Sequence, residues 1–253
     1  MIDIHCHLLP GVDDGAADEA TAIAMCRLAA QYGTTDVVAT PHANSRFAYS
    51  PERNEEKRRQ LQAAVGPEPR IHLGCDFRLE YDNIEAALAE PSRFTINGHR
   101  YLLVEFSDMV ISEGTSEVFA RLREAGVTPI ITHPERNPLL RDHQSRLAAW
   151  VRRGCLIQIT GHSLLGSFGV RSRKAAIALV NASLAHIVAS DGHDLEQRPP
   201  VLASSFGFVV DRWGEDLARQ LFVENPRAVL EGAPITPPEP KPRRHRKWWA
   251  FWK

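Results

Sequence analysis

Tyr101-Leu102-Leu103-Val104-Glu105-Phe106 is a short apolar run that carries a carboxylate, Glu105, at its C-terminal end. A helix-length segment at about 115–125 separates it from a second run, Pro129-Ile130-Ile131-Thr132, which ends on an imidazole, His133. Apolar strands alternating with helices point to a parallel sheet covered by helices. The unit recurs on both sides. Strands are expected at Ile2-Asp3-Ile4, Asp36-Val37-Val38-Ala39-Thr40, Ile71-His72-Leu73, Leu156-Ile157-Gln158-Ile159 and His186-Ile187-Val188-Ala189. Helices are expected at about 18–31, 51–64, 82–89, 142–153 and 172–182. Gly33, Gly126 and Gly154 stand where helices close, and Ser50-Pro51-Glu52 and Asp142 mark helix starts. Seven strands in about 190 residues fit a compact α/β barrel better than an open doubly wound sheet, though periodicity does not count neighbours.

The strand ends carry the chemistry. His5-Cys6-His7 follows the first strand, and alternation puts both imidazoles on one face. Asp13-Asp14 lies in the next loop. His42 ends the second strand, Asp76 the third, Glu105 the fourth, His133 the fifth, and Asp191-Gly192-His193 the last. C-terminal strand ends are where α/β folds place active sites. Gathered there, His5, His7, Asp14, His42, Asp76, Glu105, His133, Asp191 and His193 would be costly to desolvate without cations among them. Nitrogen and oxygen donors with no thiolate suit two or three divalent ions such as Mn²⁺, Fe²⁺ or Zn²⁺.

Composition excludes several classes. The chain has 253 residues, 43% hydrophobic and 24% charged, an ordinary globular balance. No apolar run approaches the ~20 residues of a spanning helix, and Met1-Ile2-Asp3-Ile4-His5 lacks the features of a secretion signal. A cytoplasmic location is expected. The four cysteines form no CxxC. A cysteine-dependent phosphatase needs an arginine six residues after its cysteine, and those positions hold Val12, Tyr32, Tyr81 and Gly161. No GxxxxGK[ST] is present, which disfavours an NTPase.

Taken together, Ile4-His5-Cys6-His7, Gly11-Val12-Asp13-Asp14-Gly15, Ala39-Thr40-Pro41-His42, Leu103-Val104-Glu105-Phe106, Thr132-His133-Pro134-Glu135-Arg136 and Ala189-Ser190-Asp191-Gly192-His193 resemble the PHP (polymerase and histidinol phosphatase) superfamily. Within it they look like the capsule-biosynthesis tyrosine phosphatases of the CpsB/CapC type, over about residues 1–225. The resemblance implies a distorted (β/α)7 TIM-like barrel with a trinuclear, usually manganese-dependent centre. One ion would be held by His5, His7, Asp76 and Asp191, a second by Asp76, Glu105 and His133, and a third by Asp14, His42 and His193. The family usually has Glu where Asp76 stands, and Asp is one methylene shorter. Glu80 is an alternative carboxylate, but it falls beyond the strand end. The resemblance assigns Arg136 and Arg198 to gripping phosphoryl oxygens, which suits a guanidinium fork. Attack on phosphorus by metal-activated water follows, with Asp14 or a protonated imidazole as acid; the sequence does not choose.

The implied substrate is phosphotyrosine on a bacterial tyrosine kinase that controls capsule or exopolysaccharide synthesis. Two other readings stand beside it: a phosphoesterase for a small molecule such as histidinol phosphate, and a weakly active barrel that binds the phosphorylated kinase tail. A homo-oligomer is compatible with all three.

Residues 1–232 are expected to form the barrel and 233–253 a flexible Pro-rich linker with a basic, aromatic tail. Ala233–Lys253 holds six basic residues against Glu239, leaving 24 basic and 30 acidic residues elsewhere, a net −6. Tryptophans among arginines suit an anionic membrane surface, or the stretch is a solubilising terminus. The acidic body offers no extended surface for nucleic acid.

Overall fold

The structure, a computed structural model, describes residues 1–241. Its strands are β1 (Ile2–Cys6), β2 (Asp36–Ala39), β3 (His42–Ala43), β4 (Arg70–Leu73), β5 (Asp76–Arg78), β6 (Tyr101–Glu105), β7 (Thr128–Thr132), β8 (Leu156–Thr160) and β9 (Ile187–Ala189). All pair in parallel, as a three-stranded sheet β1-β2-β4 and a six-stranded sheet β3-β5-β6-β7-β8-β9.

Nine strands thus stand where the sequence suggests seven, and the cause is local. Pro41 has no N–H to give a ladder, so the segment beginning at Asp36 is interrupted before His42. The next is interrupted at Gly74-Cys75, where a Cβ on Gly74 would stand 2.8 Å from Ile96 Cγ1. The backbone stays paired across both breaks: Gly74 N donates to Ala39 O at 2.9 Å and Asp76 N to Pro41 O at 3.1 Å. At the far edge, Asp191 N donates to His5 O at 2.9 Å and His7 N to Gly192 O at 2.8 Å, tying β1 to the segment after β9.

Both faces of the sheets are buried. Val38, Leu103, Ile130, Leu156, Ile187 and Ala189 pack into one cluster with Ile4. Their alternate neighbours Leu102, Val104, Ile131, Ile157 and Val188 pack outward beneath the helices, and Val37 and Ala39 join Met25 and Cys26. Period-2 alternation therefore sorts two apolar layers, which is why these strands read as continuous hydrophobic runs. β1 carries a register irregularity between Asp3 and Cys6, a feature that re-aims side chains beside active sites.

Six helices lie close to expectation: Glu19–Gln31, Pro51–Val65, Tyr81–Ala89, Thr115–Glu124, Gln144–Arg152 and Gly169–Asn181. Asp18 caps the first by accepting from Thr21 N at 2.8 Å. Two starts differ from the sequence reading. Ser50 stands at the cap but makes no side-chain cap bond, and His143 rather than Asp142 precedes the fifth helix. After β9 the chain adds helices Ala203–Trp213, Glu215–Arg219 and Asn225–Glu231, whose Val209, Ala218 and Val229 are fully buried. None of the described helices is long and apolar enough to cross a membrane.

Residues 233–241 form no helix or strand, yet they touch the body. Tyr101 Oη donates to Ala233 O at 2.6 Å and Ile235 N donates back to it at 3.1 Å. The Ile235 side chain packs against the central cluster, and Lys241 N donates to Ala182 O at 2.9 Å. The basic, aromatic run Arg243–Lys253 lies outside the described residues.

Candidate metal centre

Because the strands are parallel, their C-terminal ends share one rim, and all nine expected residues meet there. His5 Nε2 lies 3.2 Å from His7 Nε2, 3.6 Å from Asp76 Oδ2 and 3.4 Å from Asp191 Oδ1. His42 bridges toward the opposite wall, with Nδ1 3.2 Å from Asp76 Oδ2 and Nε2 3.3 Å from Asp14 Oδ1. His193 Nε2 is 3.6 Å from Asp14 Oδ1, and His133 Nε2 is 3.9 Å from Glu105 Oε1. Donor atoms fall into four groups: His7/Asp14/His42/His193, His5/His7/Asp76, His5/His133/Asp191 and His42/Asp76/Glu105.

These spacings fit cations. Donors bound about 2.1 Å from one ion stand roughly 3.0–3.4 Å apart, close to the separations seen. Both carboxylate oxygens of Asp76 and Nδ1 of His42 are buried and have no hydrogen-bond partner among the described residues. Such orphans are rare in native interiors unless something fills them. The tautomers agree. Asp13 can only accept, so His7 Nδ1, 2.7 Å from Asp13 Oδ2, is the donor. His7 Nε2 then presents its lone pair to the cluster. His5 is held likewise, its Nδ1 2.9 Å from Gln158 Oε1.

Titration tells the same story. Burial opposes charge on His7, but Asp13 and Asp191 outweigh it and raise the imidazole to about 9. Burial likewise opposes His42, which Asp14, Asp76 and Glu105 raise to about 11. The carboxylates thus call for positive charge at these nitrogens. His193 is pushed down to about 3 by burial and by His7, and His133 well below the usual range by burial and Arg136. Hydrogen bonding to His42 keeps Asp14 well below its ordinary range, so it is an anion rather than a ready proton donor. Burial raises the Cys26 and Cys155 thiols to about 12, and Cys6 and Cys75 are also raised well above their ordinary value. None of the four offers a thiolate.

A cavity of about 320 Å³ opens over the cluster. Arg46, Arg78, Arg136 and Arg198 line it beside Phe47, which stacks on His42 with ring centres 5.8 Å apart. Arg136 and Arg198 each donate to Asp191 Oδ2, and Arg136 also lies over Phe168 at 4.3 Å.

Several residues here contribute in ways to which the sequence reading assigns no role. Asp13 fixes His7 and also accepts from His42 N and Gly15 N, both at 3.0 Å. Its only sequence signal is the doubled acid, which does not say which carboxylate faces inward. Gly15 follows because a Cβ there would strike His7 O at 1.9 Å. Arg78 pairs with Glu105 Oε2 at 2.7 Å, and Glu135 turns into the core to accept from Thr160 N and Ser163 Oγ. Glu80 joins none of the donor groups; it lines the mouth and accepts from Ser45 Oγ.

Comparison with known proteins gives one consistent neighbourhood. The family described as "Capsular polysaccharide synthesis, CpsB/CapC" matches residues 1–231. The tyrosine-protein phosphatase YwqE of Bacillus subtilis is 34% identical over 99% of this chain and all of its own length. The tyrosine-protein phosphatase CpsB of Streptococcus pneumoniae is 29% identical over 91% of this chain and 98% of its own. A crystal structure from work on those two proteins, described as unique metal-dependent tyrosine phosphatases, superposes with a TM-score of 0.88 at 33% identity. It covers 97% of this chain and all of the other.

Proposed function

Since the chain belongs to the CpsB/CapC family of capsular polysaccharide synthesis, we propose that it is a metal-dependent protein-tyrosine phosphatase acting on a bacterial tyrosine kinase that controls capsule or exopolysaccharide production. The observation that carries the reading is Asp76: a buried carboxylate without a hydrogen-bond donor, faced by imidazoles at 3.2 and 3.6 Å. His5, His7, Asp76 and Asp191 would hold one cation, Asp76, Glu105 and His133 a second, and Asp14, His42 and His193 a third, with Mn²⁺ the proposed occupant. Bound ions of this kind activate water and neutralise charge developing on a phosphoryl group.

The chain's own residues do the rest. Asp13 and Gln158 hold His7 and His5 with their lone pairs turned inward. Arg136 and Arg198, now on Asp191 Oδ2, lie where their forks can take the non-bridging phosphoryl oxygens. Phe47 and Phe168 wall the approach. Tyrosine phenolate leaves readily, with a pKa of about 10, so a strong general acid is not required.

A protein substrate is favoured over a small metabolite by the rim. Tyr81 is 78% exposed next to Glu80 at the cavity mouth, and Met109 is 88% exposed beside Asp108, which lines the adjoining cavity. Large apolar side chains left in water around a polar cleft suit the residues flanking a phosphotyrosine. Hydrolysis of a phosphotyrosine peptide should exceed that of histidinol phosphate with Mn²⁺ present. Preference for histidinol phosphate would overturn the assignment.

Two finer readings accompany this one. We read the paired sheets as one distorted seven-position α/β barrel, supported by the backbone bonds across both strand breaks and between β1 and the segment after β9. We read the protein as cytoplasmic, with its basic, aromatic run meeting an anionic membrane surface, which would bring it to a membrane-attached kinase.

A further inference from the structure

We infer that the cavity adjoining the metal centre is a subsite for an acidic side chain of the substrate, close to the phosphotyrosine, and that Arg141 is the residue that selects it. This rests on the tyrosine-phosphatase reading above and adds what the enzyme asks of the sequence around the phosphorylated residue. The second cavity holds about 310 Å³ and shares Arg78, Glu105, His133 and Arg136 with the first, so the two form one cleft. Beyond that shared wall it is lined by Asp108, Asn137, Arg141, Phe168 and Ser172, among others. Asn137 fastens the walls together. Its Nδ2 donates to Ser107 O at 3.0 Å and to Asp108 Oδ1 at 3.1 Å, and its carbonyl accepts from Arg141 N at 3.0 Å. The loops after β6 and β7 are thereby tied to one another around the cavity.

Three guanidiniums line this cavity, and two of them are committed. Arg78 donates to Glu105 Oε2 at 2.7 Å, and Arg136 donates to Asp191 Oδ2. Arg141 is not. Its Nε is buried and has no hydrogen-bond partner among the described residues, and Asp142 Oδ2, 3.7 Å away, lies beyond hydrogen-bond reach. The Asp142 side chain is 80% exposed, so water screens its charge. The acids that line the cavity are otherwise engaged: Glu105 by Arg78, and Asp108, which is exposed, by Asn137. Glu113, on the loop with Asp108, and Arg171, beside Ser172, each add one exposed charge of opposite sign. A guanidinium keeps its charge, and buried donors are rarely left unmade, so an incoming carboxylate is the group that Arg141 fits. A second phosphoryl group would bring nearly twice the charge against Glu105 and Asp108, which favours the singly charged carboxylate.

Hydrolysis of phosphotyrosine peptides by the Mn²⁺-loaded full chain tests this, with Glu, Gln, Lys or phosphoserine placed at each flanking position in turn. At one position Glu is expected to exceed Gln in kcat/KM by about fivefold, with Lys below both. The readout is the ratio between peptides on one enzyme preparation, so a loss of active protein cancels. Arg141→Gln should level the Glu and Gln peptides, Arg141→Glu should turn the preference toward Lys, and Arg141→Lys should keep it for Glu. Equal hydrolysis of the Glu, Gln and Lys peptides by the parent would overturn the subsite and leave the phosphatase reading standing. A Glu preference that survives Arg141→Gln would overturn the assignment to this cavity. A stronger preference for phosphoserine than for Glu, lost in Arg141→Gln, would overturn the carboxylate as its ligand. Failure to hydrolyse any phosphotyrosine peptide would overturn the phosphatase reading and this inference with it.

Discussion

Asp13 Oδ2 and His7 Nδ1 stand 2.7 Å apart, and this hydrogen bond decides which nitrogen of His7 faces the ligand cluster. Removing the carboxylate's charge while keeping its shape should therefore loosen cation binding without touching a ligand. Asp13→Asn is expected to weaken Mn²⁺ affinity about 10–100-fold, the usual penalty for losing such a partner. Isothermal titration reads the affinity, and unchanged circular dichroism would show that the fold persists.

Arg136 contributes both charge and a planar fork, held over Phe168 at 4.3 Å. Arg136→Lys keeps only the charge. Losing a charge-assisted hydrogen bond costs about 1.5–3 kcal/mol, so KM for a phosphotyrosine peptide should rise roughly 10–100-fold. A much smaller change in kcat is expected, and steady-state kinetics separates the two.

Among the described residues His133 makes no hydrogen bond other than through its backbone, and its imidazole lies toward Glu105 and His5. His133→Ala should cut kcat/KM by about a thousandfold or more, in keeping with removal of a principal source of transition-state charge stabilisation. Metal content should fall by about one ion per chain, and the variant should melt cooperatively.

Away from the cluster, His186 is buried with Nδ1 accepting from Ile157 N at 3.0 Å and Nε2 without a partner among the described residues. Burial lowers its pKa to about 4. A depressed imidazole is neutral in both states above the unfolded value, so it costs nothing there. As pH falls below about 6.5 the unfolded chain takes up the proton first, and stability drops until the folded pKa is passed. At pH 5 the loss is about 2 kcal/mol. His186→Asn keeps an acceptor for Ile157 and should not show that loss. Urea denaturation at neutral pH and at pH 5 measures the difference.

How much of this the sequence could show depends on whether a local signal survives folding. His5 and His7 are two apart at a strand end, and the pleat alone brings them together. Glu105 and His133 each close an apolar run, so the parallel arrangement carries them to the same rim. The breaks at Pro41 and Gly74 are less visible, because their neighbours remain strand-like and backbone bonds still run across both interruptions. Ile235 is a single apolar residue among prolines and has no periodicity to announce that it packs on the core. Arg78 lies two residues past Asp76 on an alternating strand, and its pairing with Glu105 arises from strand order, not from spacing along the chain. The helices beyond β9 begin with Ala203-Ser204-Ser205-Phe206-Gly207, where serine and glycine weaken the helical pattern that packing then enforces.

The most direct test is elemental analysis of the purified protein, paired with p-nitrophenyl phosphate hydrolysis before and after chelation. Two or three divalent ions per chain are expected, with activity lost on chelation and restored by Mn²⁺. Full activity in protein that holds no metal would contradict the idea that these imidazoles and carboxylates share cations.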